Sequence, residues 1–177
     1  MGAMKQAIPI DTSQQALVRE RTRYFITQAE EILNTALPEL PVLFDLRGRA
    51  SGMYRVRGRN NKEIRYNPWI FALHFDDCIA TTVPHEVAHY CVDMLYGLRS
   101  VRPHGREWKA MMSAFGADAS VTASYSLEGV PVRRTRSYAY SCACGEHKLG
   151  IRRHNKVIRG EARYSCRRCR SVLELKL

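Results

Sequence analysis

The sequence predicts an α+β protein, with a compact helical body carrying a small antiparallel sheet followed by a β-rich, cysteine-bearing segment. Three observations predict it. Stretches with apolar residues at helical spacing flank a block of short strand-like runs. Four of the six cysteines, at 142, 144, 166 and 169, fall in the last quarter of the chain. The charge changes there too: residues 131–177 carry 13 Lys+Arg against 3 Asp+Glu, a net of +10, whereas the first 130 carry 15 against 14, a net of +1. A chain of 177 residues with 45% apolar content has enough to bury a core, which excludes a disordered protein and fits one domain plus an appendage. The composition shift places the boundary near 125–135, giving a body over 12–130 and an appendage over 131–177.

The elements follow in order. Asp11-Thr12-Ser13 is an N-cap cluster, and Ala16, Tyr24, Phe25, Ala29, Ile32 and Leu33 recur at helical spacing. They predict a helix reaching Leu37, ended by Pro38 and Pro41. Pro41 to Leu46, Gly52 to Val56 and Glu63 to Tyr66 read as strands, joined by Arg47-Gly48-Arg49 and Gly58-Arg59-Asn60-Asn61 turns. Asn67-Pro68 is an N-cap with proline at the first helical position. A helix is expected from about Asp77 to Tyr96 with Gly97 as its stop, and Pro84 either kinks it or marks its true start. A further helix spans about Gly105 to Phe115 before Gly116. Beyond Val130 the chain turns arginine-rich, with cysteine pairs and alternating tyrosines.

No apolar run approaches the ~18–20 residues of a membrane span, so a membrane partner is not expected. The N-terminus has no signal-peptide pattern, and a cytoplasmic location is expected. Met1-Gly2-Ala3 ahead of Met4 reads as a cloning remnant, and Gln6 stands where a myristoylation site needs Ser or Thr. Clustered cysteines in such a chain point to metal ligation rather than disulfides. Cys78 and Cys91 are isolated in apolar stretches and read as plain core residues.

Chemistry concentrates first at His85-Glu86-Val87-Ala88-His89. On a helix, residues four apart project from one face, so both imidazoles can reach one zinc ion. Glu86 lies beside the first of them and can take a proton from a water that zinc acidifies. The neighbours Val83, Val87, Ala88, Val92 and Leu95 place this helix in the core, where buried histidines need partners. A catalytic zinc takes three protein ligands and keeps one open position. The metzincin pattern would need Gly at 92 and His at 95, and Val92 and Leu95 exclude it. His104 and Glu107, at the start of the next helix, are both candidates for the third ligand, and spacing does not choose between them.

A second site is expected near the C-terminus. Cys166-x-x-Cys169 is one zinc-knuckle half, and Cys144-x-x-His147 has the same two-residue gap. The one-residue gap between Cys142 and Cys144 suits a knuckle less well. The favoured structural set is therefore Cys144, His147, Cys166 and Cys169, with Cys142 able to replace either upstream ligand. Arg133, Arg134 and Arg136 precede this segment, Arg152, Arg153, Lys156 and Arg159 lie within it, and Arg167, Arg168 and Arg170 surround its last cysteine pair. Guanidinium forks suit phosphate and tyrosines can stack on bases, so a nucleic-acid surface without base specificity is expected. Tyr140 and Tyr164 are expected to pack the segment instead.

The stretch Val83-Pro84-His85-Glu86-Val87-Ala88-His89-Tyr90, followed by Pro103-His104-Gly105-x-x-Trp108, resembles the SprT family, which comprises bacterial SprT proteins and the eukaryotic Spartan proteases. The resemblance covers the chain from about Ser13, and the Cys-x-Cys-x-x-His form looks like its bacterial branch. It implies a zincin-like metalloprotease domain over 12–130 and a basic zinc ribbon over 131–177. It also implies His104 as third ligand, Glu107 as a nearby acid, Glu86 as catalytic base, and two zinc ions per chain. Through the Spartan branch it implies cleavage of proteins bound or crosslinked to DNA, the DNA single-stranded or recognised without sequence specificity. Two alternatives stand beside this: a general or self-processing zinc peptidase, and a nucleic-acid-binding regulator with a vestigial zinc site. A base beside the ligands argues against the regulator, since a purely structural site has no use for one.

Overall fold

The computed structural model describes residues 7–58, 61–120, 125–132 and 136–176. The readings made at Met1 to Gln6, at Arg59 and Asn60 of the predicted turn, and at Arg133 and Arg134 lie outside those residues. The chain divides into two compact units, Met1–Val132 and Arg133–Leu177. Each is α+β with one small three-stranded sheet.

The first unit opens with α1, Thr12–Leu33. Asp11 caps it through a capping box: its side chain accepts from the Gln14 N–H, and the Gln14 side chain accepts from the Asp11 N–H. The helix stops four residues short of Leu37, because Asn34 takes the left-handed conformation (φ 47°) and its N–H returns to the Glu30 and Glu31 carbonyls. The end is thus set by an αL cap rather than by the prolines. The buried face is Val18, Thr22, Phe25, Ile26 and Ala29, whereas Tyr24 and Ile32 are exposed.

Three strands follow: β1 Val42–Leu43, β2 Gly52–Arg57 and β3 Asn61–Tyr66. β2 and β3 form the expected antiparallel hairpin, with Gly52 opposite Tyr66 and Tyr54 opposite Ile64. The sheet as a whole is mixed, correcting the antiparallel expectation. Its order is β1-β3-β2, with β1 parallel to β3. The run predicted over Pro41–Leu46 contributes only two paired residues, and β3 inserts between β1 and β2, leaving β2 on the outside. Asn67 then caps α2, Pro68–Leu73, accepting from the N–H groups of Trp69 and Ile70.

After a short turn of helix, α3 (Phe75–Asp77), the backbone widens into a π-helical segment over Cys78–Thr82 and then tightens into α4, Val83–Tyr96. Pro84 accounts for the change. Continued α-helix would press its ring on the carbonyl four residues back, and the wider turn avoids that clash. Proline therefore sits in the first turn of α4. Its core face is Val83, Val87, Ala88, Tyr90, Cys91 and Val92, with Cys78 and Cys91 fully buried as plain core residues; Leu95 is exposed, against expectation. α5, Arg106–Ala114, packs Trp108, Met111 and Met112 inward.

The second unit contains β4 Ser137–Cys142, β5 Gly145–Gly150, α6 Ile151–Ile158 and β6 Glu174–Leu175, in sheet order β5-β4-β6, all antiparallel. Its small core is Tyr140, Leu149, Cys166 and Leu173. The helix α6 is a departure from the β-rich expectation. Ile151, His154 and Val157 form a half-buried stripe at helical spacing, while Arg152, Arg153, Asn155 and Lys156 face solvent.

Candidate functional site

α4 presents His85 and His89 one turn apart, and the loop after it brings back His104 immediately before α5. The three Nε2 atoms converge: 3.2 Å between His85 and His89, and 3.0 Å from His104 to each. His104 reaches this point from the left-handed region (φ 56°), which a residue with a Cβ adopts only when its surroundings hold it there. Trp108, 1% exposed, supplies part of that hold. Its ring lies 4.7 Å from those of His85 and His104 and 5.7 Å from that of His89, and its indole N–H points at the His85 carbonyl. Burial pulls the imidazoles toward their neutral, ligating form, His85 to about 4 and His89 to about 3, and lowers His104 in the same direction.

Three neutral imidazoles cannot satisfy one another in this arrangement: each ring has a single N–H, so whichever tautomers are present at least one of the three Nε2 contacts sets lone pair against lone pair or N–H against N–H. A cation satisfies all three. Zn–N bonds of about 2.0–2.1 Å in a tetrahedral array put nitrogens about 3.3 Å apart, close to the observed spacing. The donor set therefore fits zinc. Glu107 is not in the group; its carboxylate pairs with Arg106.

Glu86 is 6% exposed and faces the outer strand. Its Oε2 accepts a 2.6 Å hydrogen bond from the Tyr54 N–H. Burial pushes its carboxyl up to about 8, against the Tyr54 hydrogen bond, which draws it down. At Gly52 an added Cβ would lie 2.7 Å from Cγ and Oε1 of Glu86, so only glycine lets the strand come this close. A cavity of about 540 Å³ opens beside His85 and Glu86, lined further by Gly52, Thr82, Asp118 and Tyr125. Gly52, Tyr54 and Tyr125 were not legible as site residues. The first two act through backbone proximity, which leaves no side-chain signature in sequence.

In the second unit, Cys142, Cys144, His147 and Cys166 bring their ligand atoms within 4.8 Å of one another. The sulfurs of Cys142 and Cys144 are 3.4 Å apart and those of Cys144 and Cys166 3.6 Å, while Cys142 Sγ is 3.0 Å from His147 Nε2. These spacings are far beyond a disulfide bond and near the separation of thiolates sharing one ion. Cys142 is thus a full member of the group rather than a substitute. It closes β4 opposite Gly145, and the tight turn between them folds Cys144 back alongside it, which is how a one-residue gap suffices. Cys169 stands outside the compact four; its thiol lies 2.8 Å from Ser171 Oγ and also reaches the Cys144 sulfur. Five donors thus surround one site, and the hydrogen bonds that the Cys144 S–H gives to the neighbouring sulfurs, Cys142 first, push that thiol up.

Arg136, Arg152, Arg153, Lys156, Arg159, Arg167, Arg168 and Arg170 are all exposed. Tyr140 is buried and Tyr164 half-buried. Tyr138 is not free to stack on a base with both faces, because the His154 ring lies parallel to it at 3.5 Å. No helix among the described residues is long and apolar enough to cross a membrane.

Comparison with known proteins agrees with this geometry. A model of the SprT-like family matches residues 22–136, a span that holds all three convergent histidines and Glu86. Protein SprT of Shewanella oneidensis is 36% identical over 162 residues, covering 91% of this chain and 99% of that protein. Protein SprT of Salmonella arizonae is 40% identical over 157 residues, covering 88% and 90% respectively. With the family model spanning most of the first unit and these relatives aligned over nearly their whole length, the chain belongs to the SprT-like family.

Proposed function

We propose that this protein is a zinc metalloendopeptidase of zincin-like type, whose first unit cleaves peptide bonds and whose second unit, a zinc ribbon, holds nucleic acid. The observation that carries the reading is the convergence of three neutral imidazoles beside a buried carboxylate at the mouth of a cavity. His85, His89 and His104 would hold the catalytic ion. Zinc bound there supplies Lewis acidity toward a carbonyl oxygen and a water at the same site. Glu86 takes a proton from the attacking water as its oxygen bonds to the peptide carbon. The carboxyl then passes that proton to the leaving amine as the C–N bond breaks. Its burial against β2, with Oε2 held by the Tyr54 N–H, keeps the carboxyl in one place for both halves of that transfer.

Cys142, Cys144, His147 and Cys166 would hold a second, structural zinc, with Cys169 as a fifth donor beside them. With little apolar core in this unit, the metal contributes folding free energy outright. The exposed arginines and Lys156 support phosphate binding without base readout, to single-stranded DNA above all. On this reading the substrates are proteins bound or crosslinked to DNA, brought to the first unit by the second.

The experiment is Glu86→Gln in the full chain. Hydrolysis of a basic DNA-binding protein, with and without single-stranded DNA, should be lost while metal analysis still finds two zinc ions per chain. One zinc fewer than in the wild type would show Glu86 to be a ligand and not a base. Full activity in the variant would remove the proposed mechanism, and leave the regulator with an inert zinc site as the better account.

A further inference from the structure

One residue of the outer strand β2 makes two hydrogen bonds to α4. The Tyr54 N–H donates to Glu86 Oε2 at 2.6 Å, and the Tyr54 hydroxyl donates to Asp93 Oδ2 at 2.6 Å. Glu86 and Asp93 are seven residues apart on α4, two turns along one face, or about 10 Å of helix. Asp93 is itself fixed: Lys62 on β3 pairs with Oδ2, and Oδ1 accepts the Leu98 N–H beyond the helix end at 3.0 Å. The Tyr54 ring also leans on Tyr90 of the same helix, with centroids 5.9 Å apart. Two residues back on the same side of the strand, Gly52 closes over Cγ and Oε1 of Glu86.

We propose that Tyr54 is a positioning residue for Glu86. Its phenol, fastened to Asp93, sets the height of β2 along α4, so that the Tyr54 amide and the bare face of Gly52 hold the carboxylate in one orientation. The role rests on Glu86 being the base. A strand released from Asp93 can slide or twist relative to the helix, and the amide and Gly52 move with it. The carboxylate then loses the hydrogen bond that fixes Oε2, while the three imidazoles, carried by α4 and the loop before α5, are untouched. A misplacement of about 1 Å at a reacting group can cost about 100-fold in rate.

The test uses the zinc-loaded full chain, with fluorescein-labelled denatured casein as the substrate probe. In Tyr54→Phe, kcat should fall by about 10-fold or more with KM within about twofold. Zinc content should be unchanged. The backbone amide proton of residue 54 should move upfield and exchange faster, and Glu86→Gln should shift the same amide from the other end of the bond. Arg55→Met breaks the Arg55–Glu63 pair on the same hairpin without touching Glu86, and should leave kcat within about twofold. Asp93→Ala removes the tether from its other side and should reproduce the kcat loss, which decides the matter if Tyr54→Phe folds poorly. An unshifted amide in both tether variants, or kcat unchanged in both, overturns the proposal. If the wild type cleaves no protein, the peptidase reading fails by itself. The amide shifts then decide alone whether Tyr54 holds Glu86.

Discussion

At the residue scale, the candidate site divides into what chemistry-bearing side chains announce and what the backbone does unannounced. His85, Glu86 and His89 were legible because helical periodicity puts residues four apart on one face, and that holds in almost any context. His104 was ambiguous against Glu107 on spacing alone, because its approach depends on a left-handed backbone (φ 56°) that no local rule predicts for histidine. Gly52 and Tyr54 were invisible for the reason already given. Cys142 was underrated because the gap rule for knuckles assumes a loop, whereas a two-residue hairpin turn places Cys142 and Cys144 side by side. Asp93 gives this scale a pH signature. Burial favours its protonated form, but hydrogen bonds from Lys62, Tyr54 and the Leu98 N–H outweigh it, and the carboxyl sits below its ordinary value. A carboxylate depressed on folding contributes stability above its unfolded pKa of about 3.9, and loses it as pH falls through the lower folded value. Denaturation of wild type and Asp93→Asn across pH should therefore show a gap that is constant above about pH 5 and closes below about pH 4. A gap that widens toward acid would mean the carboxyl is raised instead.

Elements were legible where two independent signals agreed and less so where one acted alone. β2, β3 and α5 are bounded by turn or stop residues and form within a residue or two of expectation, and α2 starts where Asn67-Pro68 marked a helix. α1 had a clear start and a misread end, because Asn34 stops it through an αL cap that looks like any polar residue in sequence. The π-segment before α4 is the physical answer to Pro84, which sequence could pose as a question but not resolve. α6 was missed since cysteine spacing dominated the reading of its surroundings, although Ile151, His154 and Val157 already carried a helical stripe. At this scale the capping box of α1 can be measured. Asp11→Ala removes an acceptor for the Gln14 N–H and should lower the stability of the first unit by about 1 kcal/mol, while Asp11→Ser should be near neutral. Urea denaturation with a fixed m-value checks it. Equal losses in the two variants would assign the effect to charge at the helix N-terminus rather than to the cap.

At the scale of the whole molecule, the charge is divided unevenly between a near-neutral first unit and a strongly basic second unit. Of the net +11, +10 lies beyond residue 130, and arginine dominates it. Binding through such a surface releases counterions from the nucleic acid, so affinity should fall linearly in log–log form with salt and depend little on sequence. On a single strand each phosphate contact contributes about 0.7 to that slope. Charge reversal at Arg152, Arg153 and Arg159 should therefore lower the slope by roughly 2 without releasing zinc from the cysteine group, since none of the three offers a ligand. A chain ending at Val132 should keep one zinc, Glu86 and a slow basal hydrolysis. It should lose most single-stranded DNA binding together with any acceleration that DNA confers. On the proposed function such acceleration would be an effective-concentration gain, the bound strand keeping its protein cargo at high local concentration with no new contact to the histidine site. It should vanish when DNA and cargo protein are separate molecules, and persist when they are crosslinked. Equal affinity of the shortened and full chains for single-stranded DNA at matched salt would overturn this division of labour. So would acceleration by DNA that survives the loss of the second unit, which would require a DNA contact within residues 1–132.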